Sequence, residues 1–171
     1  MENIQSTGVC HEPTFRSLFQ QQARHLRNYL IYKGAPLEQA EDLMQEAFLR
    51  LWRECARVPA EKAKGFLFTV AGNLFLDTRK RAQVELRFLK KSNPPGESES
   101  PQFILETNEL HERLQKALAE LPDSQRTVFL MNRVDGLTYA EIAGRLELSV
   151  KAIEKRMHLA LLELRLIMKN I

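Results

Sequence analysis

The stretch from Leu137 to Arg156 reads LTYAEIAGRLELSVKAIEKR and decides the fold of the second half of the chain. Thr138 can cap a first helix, and Glu141 three residues later completes a capping box. A turn is expected at Glu147-Leu148, after which Ser149 is a favourable N-cap for a second helix. Two short helices around a tight turn are typical of a helix-turn-helix, which places its second helix in the DNA major groove.

The second helix of this motif has an apolar side and a charged side. Its outer side carries several basic residues, which suits DNA, but an ordinary helical hairpin with a solvated charged face has the same pattern. Both interpretations stay open for this segment taken alone. The residues expected to face inward, at helical spacing, are Val150, Ile153, Met157, Ala160, Leu161 and Leu164.

The composition of the whole chain is that of a helical globular protein. Its 171 residues are 44% hydrophobic and 27% charged, and apolar residues recur three and four positions apart. No segment approaches the roughly 20 apolar residues of a membrane span, and the first residues lack the features of a signal peptide. Cys10 and Cys55 are too few for a disulfide scaffold and lack metal-ligand spacing. We therefore expect an all-α, cytoplasmic protein without membrane insertion, metal or cofactor.

One break in composition divides the chain. Residues 92–101 read SNPPGESESP, and residues 92–110 contain four Glu and no basic residue. Residues 92–101 have nothing apolar to bury, and the composition predicts a flexible acidic linker over 92–105. It would join two small helical domains, at 12–91 and 106–171. Outside the helix-turn-helix, periodicity predicts helices at about 15–33, 36–57, 63–89, 106–121 and 123–134, with Gly72 a candidate break in the third.

Three further stretches, in this order, resemble those of a known family. Residues 40–52, AEDLMQEAFLRLW, look like the signature helix of bacterial sigma factors of the extracytoplasmic-function group. Residues 65–81, GFLFTVAGNLFLDTRKR, resemble the segment that melts the promoter and reads its minus-ten element in that family. Residues 118–129, LAELPDSQRTVF, resemble the start of its second conserved domain. The resemblance spans both predicted domains and implies a sigma factor that directs core RNA polymerase to promoters.

The resemblance implies a polymerase-docking surface on the signature helix. In the family this surface contacts the clamp helices of the largest polymerase subunit, so Asp42, Gln45 and Glu46 are carried over as core-polymerase contacts. Leu49 and Trp52 fall off the buried stripe, and exposed apolar residues beside carboxylates suit an interface. The alternative puts these two residues in the domain core and leaves the charges solvated.

The resemblance also implies a surface that holds the opened minus-ten strand. Aromatic rings between basic residues can stack on unpaired bases, each stack being worth about 1–3 kcal/mol. In the alternative, Phe68 and Phe75 pack against neighbouring helices. Gly72 stands where the family commonly has a basic residue, so one phosphate contact of the family is not predicted here. The implied minus-ten residues are Phe68, Asn73, Asp77, Arg79, Lys80 and Arg81.

The helix-turn-helix acquires a specific target from the resemblance, the minus-thirty-five element. Lys or Arg can donate to guanine O6 and N7, and Ala152 can contact a thymine methyl group. Further partners implied by the family are the flap region of the polymerase and an anti-sigma factor. The residues implied to approach the minus-thirty-five element are Ser149, Lys151, Ala152, Lys155, Arg156 and His158.

Two other classes of function compete with this one. A stand-alone helix-turn-helix regulator would bind duplex DNA without polymerase and use the first domain for dimerisation or ligand sensing. An enzyme is not expected, because the sequence has no phosphate-cradling Gly loop, nucleophile elbow or clustered His/Glu set. No catalytic residue is therefore predicted.

Overall fold

The computed structural model describes residues 8–90 and 109–169, and no β-strand occurs within them. This confirms the all-α prediction. The predicted linker at 92–105 lies outside the described residues. The helices are α1 (Glu12–Tyr32), α2 (Leu37–Arg53), α3 (Ala63–Lys90), α4 (Glu109–Glu120), α5 (Asp123–Arg133), α6 (Tyr139–Leu146) and α7 (Val150–Lys169), and a 3-10 turn at Ala60–Lys62 precedes α3.

The first three helices pack on one another around a shared apolar core. Leu26 and Leu30 of α1, Leu51 of α2 and Leu67 of α3 are completely buried there. Full burial of one such side chain contributes about 1.5–3 kcal/mol to the free energy of unfolding. The break expected at Gly72 is absent, since α3 continues as one α-helix through this position.

A disulfide fastens the start of α1 to the end of α2. Cys10 and Cys55 are bonded, with their Cα atoms 5.1 Å apart. The sequence did not predict this crosslink, because the two cysteines lie 45 positions apart and only the antiparallel path of α1 and α2 brings them together. This one disulfide does not make the protein a disulfide scaffold, in agreement with the sequence.

The helix-turn-helix forms as its capping residues predict. The Glu141 backbone N–H donates to Thr138 Oγ1 over 3.2 Å, and the Thr138 backbone N–H donates to Glu141 Oε2 over 2.8 Å. Glu147 has φ 53° and makes the left-handed turn, and Ser149 Oγ then accepts from the Ala152 N–H over 3.1 Å. The turn and both caps are confirmed.

Helix α7 packs against α4, α5 and α6. Four of its residues expected to face inward are buried, and Leu161 is half-buried. The expectation for Val150 is wrong, because its side chain is 42% exposed at the first position of the helix, beside the turn. None of the described helices is long and apolar enough to cross a membrane.

The two halves of the protein contact one another. Helix α3 packs against α6, and α1 packs against α5. The first helix of the helix-turn-helix therefore lies against α3 in this structure.

Candidate polymerase and promoter interfaces

The outer face of α2 carries the predicted polymerase contacts. Asp42 and Gln45 are exposed, while Glu46 is half-buried and accepts from Arg50 Nε over 3.1 Å. Leu49 is 51% and Trp52 is 43% exposed. The alternative that puts these two apolar residues in the core is therefore wrong. Their role in polymerase binding stays a prediction.

An apolar groove joins this face of α2 to α1. Phe15 and Phe19 of α1 line it together with Phe48, Leu49 and Trp52, and its volume is about 450 Å³. The Phe15 ring meets the Trp52 ring edge-on, with centroids 5.0 Å apart. The two α1 residues lie at helical spacing in the sequence, and Phe19 is 40% exposed. Helical spacing was the sequence signal for these two residues, and it cannot distinguish residues that line a groove from residues buried in a core.

Two aromatic residues of α3 do not lie where the minus-ten surface would need them. Phe68 is 1% exposed and Phe75 is 3% exposed. The Phe68 ring meets the Tyr29 ring of α1 in a T-shaped contact, with centroids 5.2 Å apart. This burial does not fit the implied role of Phe68 at the minus-ten surface, and the structure agrees with the alternative that both rings pack against neighbouring helices.

Tyr29 also explains why a glycine occupies position 72. A Cβ atom on Gly72 would lie 3.0 Å from Tyr29 Oη. The tyrosine is buried, and its burial raises the pKa to about 12, with Arg156 acting in the opposite direction. The phenol is thus neutral at ordinary pH and fills the space that a side chain at position 72 would need. The departure from the family pattern at Gly72 is consistent with this packing.

The remaining predicted minus-ten residues are exposed. Asn73 and Asp77 are one helical turn apart, so they share a face of α3, and Lys80 and Arg81 follow on its solvated second half. Arg79 Nη1 lies 3.2 Å from Asp123 Oδ2 at the start of α5. This pair connects the candidate minus-ten surface to the second half of the protein.

The outer face of α7 matches the predicted minus-thirty-five surface. Lys151, Lys155 and His158 are exposed, and their spacing puts them on one side of the helix. Ala152 and Arg156 are half-buried at the edges of this face, and the exposed Ser149 caps the helix. The structure therefore brings these six residues together at one accessible helix end, while their contacts with DNA stay predictions.

Neither surface resembles a metal site. Within the two described ranges, no cluster of three or more His, Cys, Asp or Glu side chains could hold a metal ion. The accessible chemistry consists of cations, amides and carboxylates on helix faces, together with one apolar groove. Such groups recognise other macromolecules.

Comparisons with known proteins identify the family. Residues 18–84 match the model of sigma-70 region 2, and residues 111–164 match that of sigma-70 region 4. The ferric citrate uptake sigma factor FecI of Escherichia coli is 30% identical over 144 residues, which are 83% of each chain. The ECF RNA polymerase sigma factor SigE of Mycolicibacterium smegmatis is 29% identical over 90% of this chain, which spans 61% of that protein.

A solved structure supports the fold independently. The sigma factor RpoE of Bartonella quintana, crystallised with the anti-sigma factor NepR, superposes with a TM-score of 0.61 at 20% identity. The match covers 91% of this chain and 96% of RpoE. Since both conserved sigma-70 regions occur in order and a relative matches over most of its length, the chain belongs to the RNA polymerase sigma factors, in their extracytoplasmic-function group.

Proposed function

We propose that this protein initiates transcription through contacts with core RNA polymerase and with two promoter elements. The outer face of α2 docks on the clamp helices of core RNA polymerase, α3 holds the opened minus-ten strand, and α7 binds the minus-thirty-five duplex. The second domain also contacts the flap region of the polymerase. Residues 12–91 and 106–171 would act as separate domains, joined by the acidic linker at 92–105.

The observation that carries this proposal is the exposed apolar groove between α1 and α2. A soluble monomer gains nothing from leaving Phe19, Leu49 and Trp52 accessible, whereas such anchors contribute much of the binding energy of protein interfaces. A stand-alone regulator would explain the helix-turn-helix. It would use this groove for dimerisation or ligand sensing, so binding of core polymerase is the property that separates the two functions.

The proposed mechanism is differential binding and involves no catalysis by this chain. Exposed Asn73 and Asp77 supply hydrogen-bonding groups for an unpaired strand, and the cations that follow them suit its phosphates. Holding the melted strand more tightly than the duplex lowers the free energy of the open promoter. The linker's carboxylates would complement a basic channel of the enzyme.

We further propose an anti-sigma factor as a regulator, because the structural neighbour RpoE was crystallised with one. Such a protein would compete for the surfaces that contact polymerase and promoter. The place of action would be the cytoplasm, where bacterial RNA polymerase and its promoters are.

Run-off transcription with reconstituted core polymerase and a promoter library tests the function. Promoter-specific transcripts are expected only when both core and this protein are present. No such transcript, together with nanomolar binding of duplex DNA by the protein alone, would show that the stand-alone regulator is the correct alternative.

Variants of α2 test the docking surface. Leu49→Ala is expected to weaken core binding by about tenfold, since truncating an interface anchor costs about 1–2 kcal/mol. Leu37→Ala is the matched control, because Leu37 lies on the same helix and is similarly exposed, at 56% against 51%. Equal losses in the two variants would contradict docking through this face.

Variants of α3 and α7 test the division of labour between the domains. Lys155→Ala should weaken upstream-element binding with little effect on strand opening, and Asn73→Ala should do the reverse. Lys169→Ala removes an exposed lysine from the far end of α7 and serves as the charge-matched control. If both test variants affect both steps equally, the assignment is wrong.

A further inference from the structure

The disulfide between Cys10 and Cys55 is unusual for a protein whose proposed place of action is the cytoplasm. These are the only two cysteines of the chain, and the bond uses both of them. Disulfides are rare in the reducing cytoplasm, where those that do form are usually transient and respond to oxidants. The pair is therefore a candidate site of reversible oxidation.

The bond lies at one end of the apolar groove between α1 and α2. Cys10 precedes the first residue of α1 by two positions, and Cys55 follows the last residue of α2 by two positions. Two groove residues, Glu12 and Phe15, stand in the first turn of α1, and Trp52 stands in the last turn of α2. The crosslink therefore joins the two helix ends that form this part of the groove.

The helix ends that the bond joins are weakly capped. His11 occupies the N-cap position of α1 and makes no side-chain cap hydrogen bond. After α2, the Cys55 N–H donates to the Trp52 carbonyl oxygen over 3.4 Å, which is long for a backbone hydrogen bond. Helix ends without good caps fray. Without the crosslink, Phe15 and Trp52 would therefore leave their edge-on contact more often, and the groove would be formed for less of the time.

The two sulfur atoms are placed for reversible chemistry. Cys10 is exposed and Cys55 is half-buried, so the bond lies at the surface. Val9 is 2% exposed in the core, and the His11 N–H donates to the Gly8 carbonyl oxygen over 3.0 Å. This anchored turn would keep the two thiols near each other after reduction. An accessible thiol beside a second, resolving thiol is typical of redox-sensing cysteines.

We propose that Cys10 and Cys55 form a redox sensor that controls the docking of core RNA polymerase. Oxidation to the disulfide fixes the groove in its binding form, and reduction to two thiols loosens it. Fixing a surface in its bound form strengthens binding, because less ordering remains to be done when the partner arrives. This inference rests on the proposed function, since it requires core polymerase to dock at the groove.

The oxidant that fits this pair is a hydroperoxide, with hydrogen peroxide as the simplest example. The thiolate of Cys10, the more exposed cysteine, attacks one peroxide oxygen, which gives a sulfenic acid and one molecule of water. The Cys55 sulfur then displaces the sulfenic hydroxyl group, which leaves with the Cys55 proton as a second molecule of water. Two electrons pass from the sulfurs to the peroxide. A dithiol reductant reverses the change by exchange and itself becomes a disulfide.

Core binding by the two redox forms tests the sensor. The full-length protein is oxidised with hydrogen peroxide or reduced with dithiothreitol, and the reagent is removed anaerobically before core polymerase is added. The reduced form should bind core about threefold more weakly, which corresponds to a groove formed in about one third of its molecules. The control carries Cys10→Ser and Cys55→Ser. It should bind like the reduced form and respond to neither reagent.

Trp52 supplies a second readout that needs no polymerase. It is the only tryptophan of the chain, and it is 43% exposed in the groove. Reduction should raise the bimolecular constant for quenching of its fluorescence by acrylamide, a constant that is independent of quenching by the disulfide itself. Phe15→Ala should raise this constant in the oxidised protein too, because the variant removes the ring that contacts Trp52.

Mass spectrometry tests the chemistry of the pair. Hydrogen peroxide should convert the reduced protein to a form that has lost two hydrogen atoms. Cys55→Ser should instead accumulate a sulfenic acid on Cys10, which dimedone traps. Reduced thioredoxin should open the bond again. A bond that hydrogen peroxide does not close, or that thioredoxin does not open, is a structural crosslink, and either result would overturn the sensor.

The outcomes separate the redox sensor from the proposed function. Equal binding of core by the oxidised and reduced forms would overturn the sensor and leave the function intact. Loss of helical circular dichroism on reduction would also overturn it, because the bond would then only hold the fold together. Binding of core by neither form would refute the proposed function, and acrylamide quenching would then show whether the cysteine pair still changes the groove.

Discussion

Replacing Phe68 separates the two roles that an aromatic ring in α3 could have. The ring is 1% exposed and contacts Tyr29 edge-on at a centroid distance of 5.2 Å. Truncating a buried Phe to Ala costs about 3–5 kcal/mol, of which an edge-to-face pair contributes about 0.5–1.5 kcal/mol. Phe68→Leu keeps most of the apolar volume and should cost less than about 1.5 kcal/mol.

Urea unfolding followed by circular dichroism measures these free energies. Promoter opening is then compared at temperatures where each variant is fully folded. If Phe68 is only a core residue, Phe68→Leu should open promoters as well as the unmodified protein. Asn73→Ala supplies the opposite control, because its exposed side chain should affect opening without affecting stability.

One result would refute the reasoning from burial. If Phe68→Leu loses less than about 1.5 kcal/mol of stability but more than tenfold of promoter opening, the ring must contact a base. A tenfold loss corresponds to about 1.4 kcal/mol of strand binding, which lies within the range of one base–aromatic stack. Helix α3 would then have to rearrange when the promoter opens.

Three shorter predictions concern stability. Thr138→Ala should lower the free energy of unfolding by about 0.5–2 kcal/mol, because it removes the cap that the Glu141 N–H needs; an unchanged urea midpoint would contradict the cap. Cys55→Ser should lower the free energy of unfolding by about 4 kcal/mol, the chain-entropy value for a loop of 45 residues. If the unmodified protein had the same urea midpoint with and without reducing agent, the bond to Cys10 would be contradicted. The lowered pKa of His25 means that the folded state binds fewer protons than the unfolded state below about pH 6.5. The free energy of unfolding should therefore be unaffected by this residue above about pH 6.5 and should decrease as the pH falls below that value. In a plot of urea midpoint against pH, His25→Gln should reduce the slope below that pH.

The helix-turn-helix could be predicted from sequence because its signals are local. The side chains of Thr138 and Glu141 each accept from the other residue's backbone N–H, within one helical turn. The Ser149 side chain accepts from the backbone N–H of Ala152, three residues later. Such preferences act within a few residues and are barely changed by the rest of the fold. The exposed side of α2 was predictable for a related reason, since its buried stripe follows a single helical period.

The burial of Phe68 could not be predicted, because α3 contacts neighbours over a wider arc than one stripe covers. It packs against α1 and α2 in the first half and against α6 in the second. Phe68 and Phe75 are therefore buried, whereas Val70 and Leu74 of the same helix are only half-buried. The periodicity of a sequence indicates the side of a helix that faces one packing partner. It does not show that the helix packs against three other helices, as α3 does.

The interdomain contacts escaped prediction for a stronger reason. Asp135 and Arg126 are ordinary loop and helix residues by sequence, and their partners lie about a hundred positions away. A buried polar pair carries no periodic signature, because its burial depends on the complementary group arriving from another element. Asp135, in the loop before α6, accepts from Asn28 and Tyr32 of α1, and nothing in its own sequence neighbourhood indicates this.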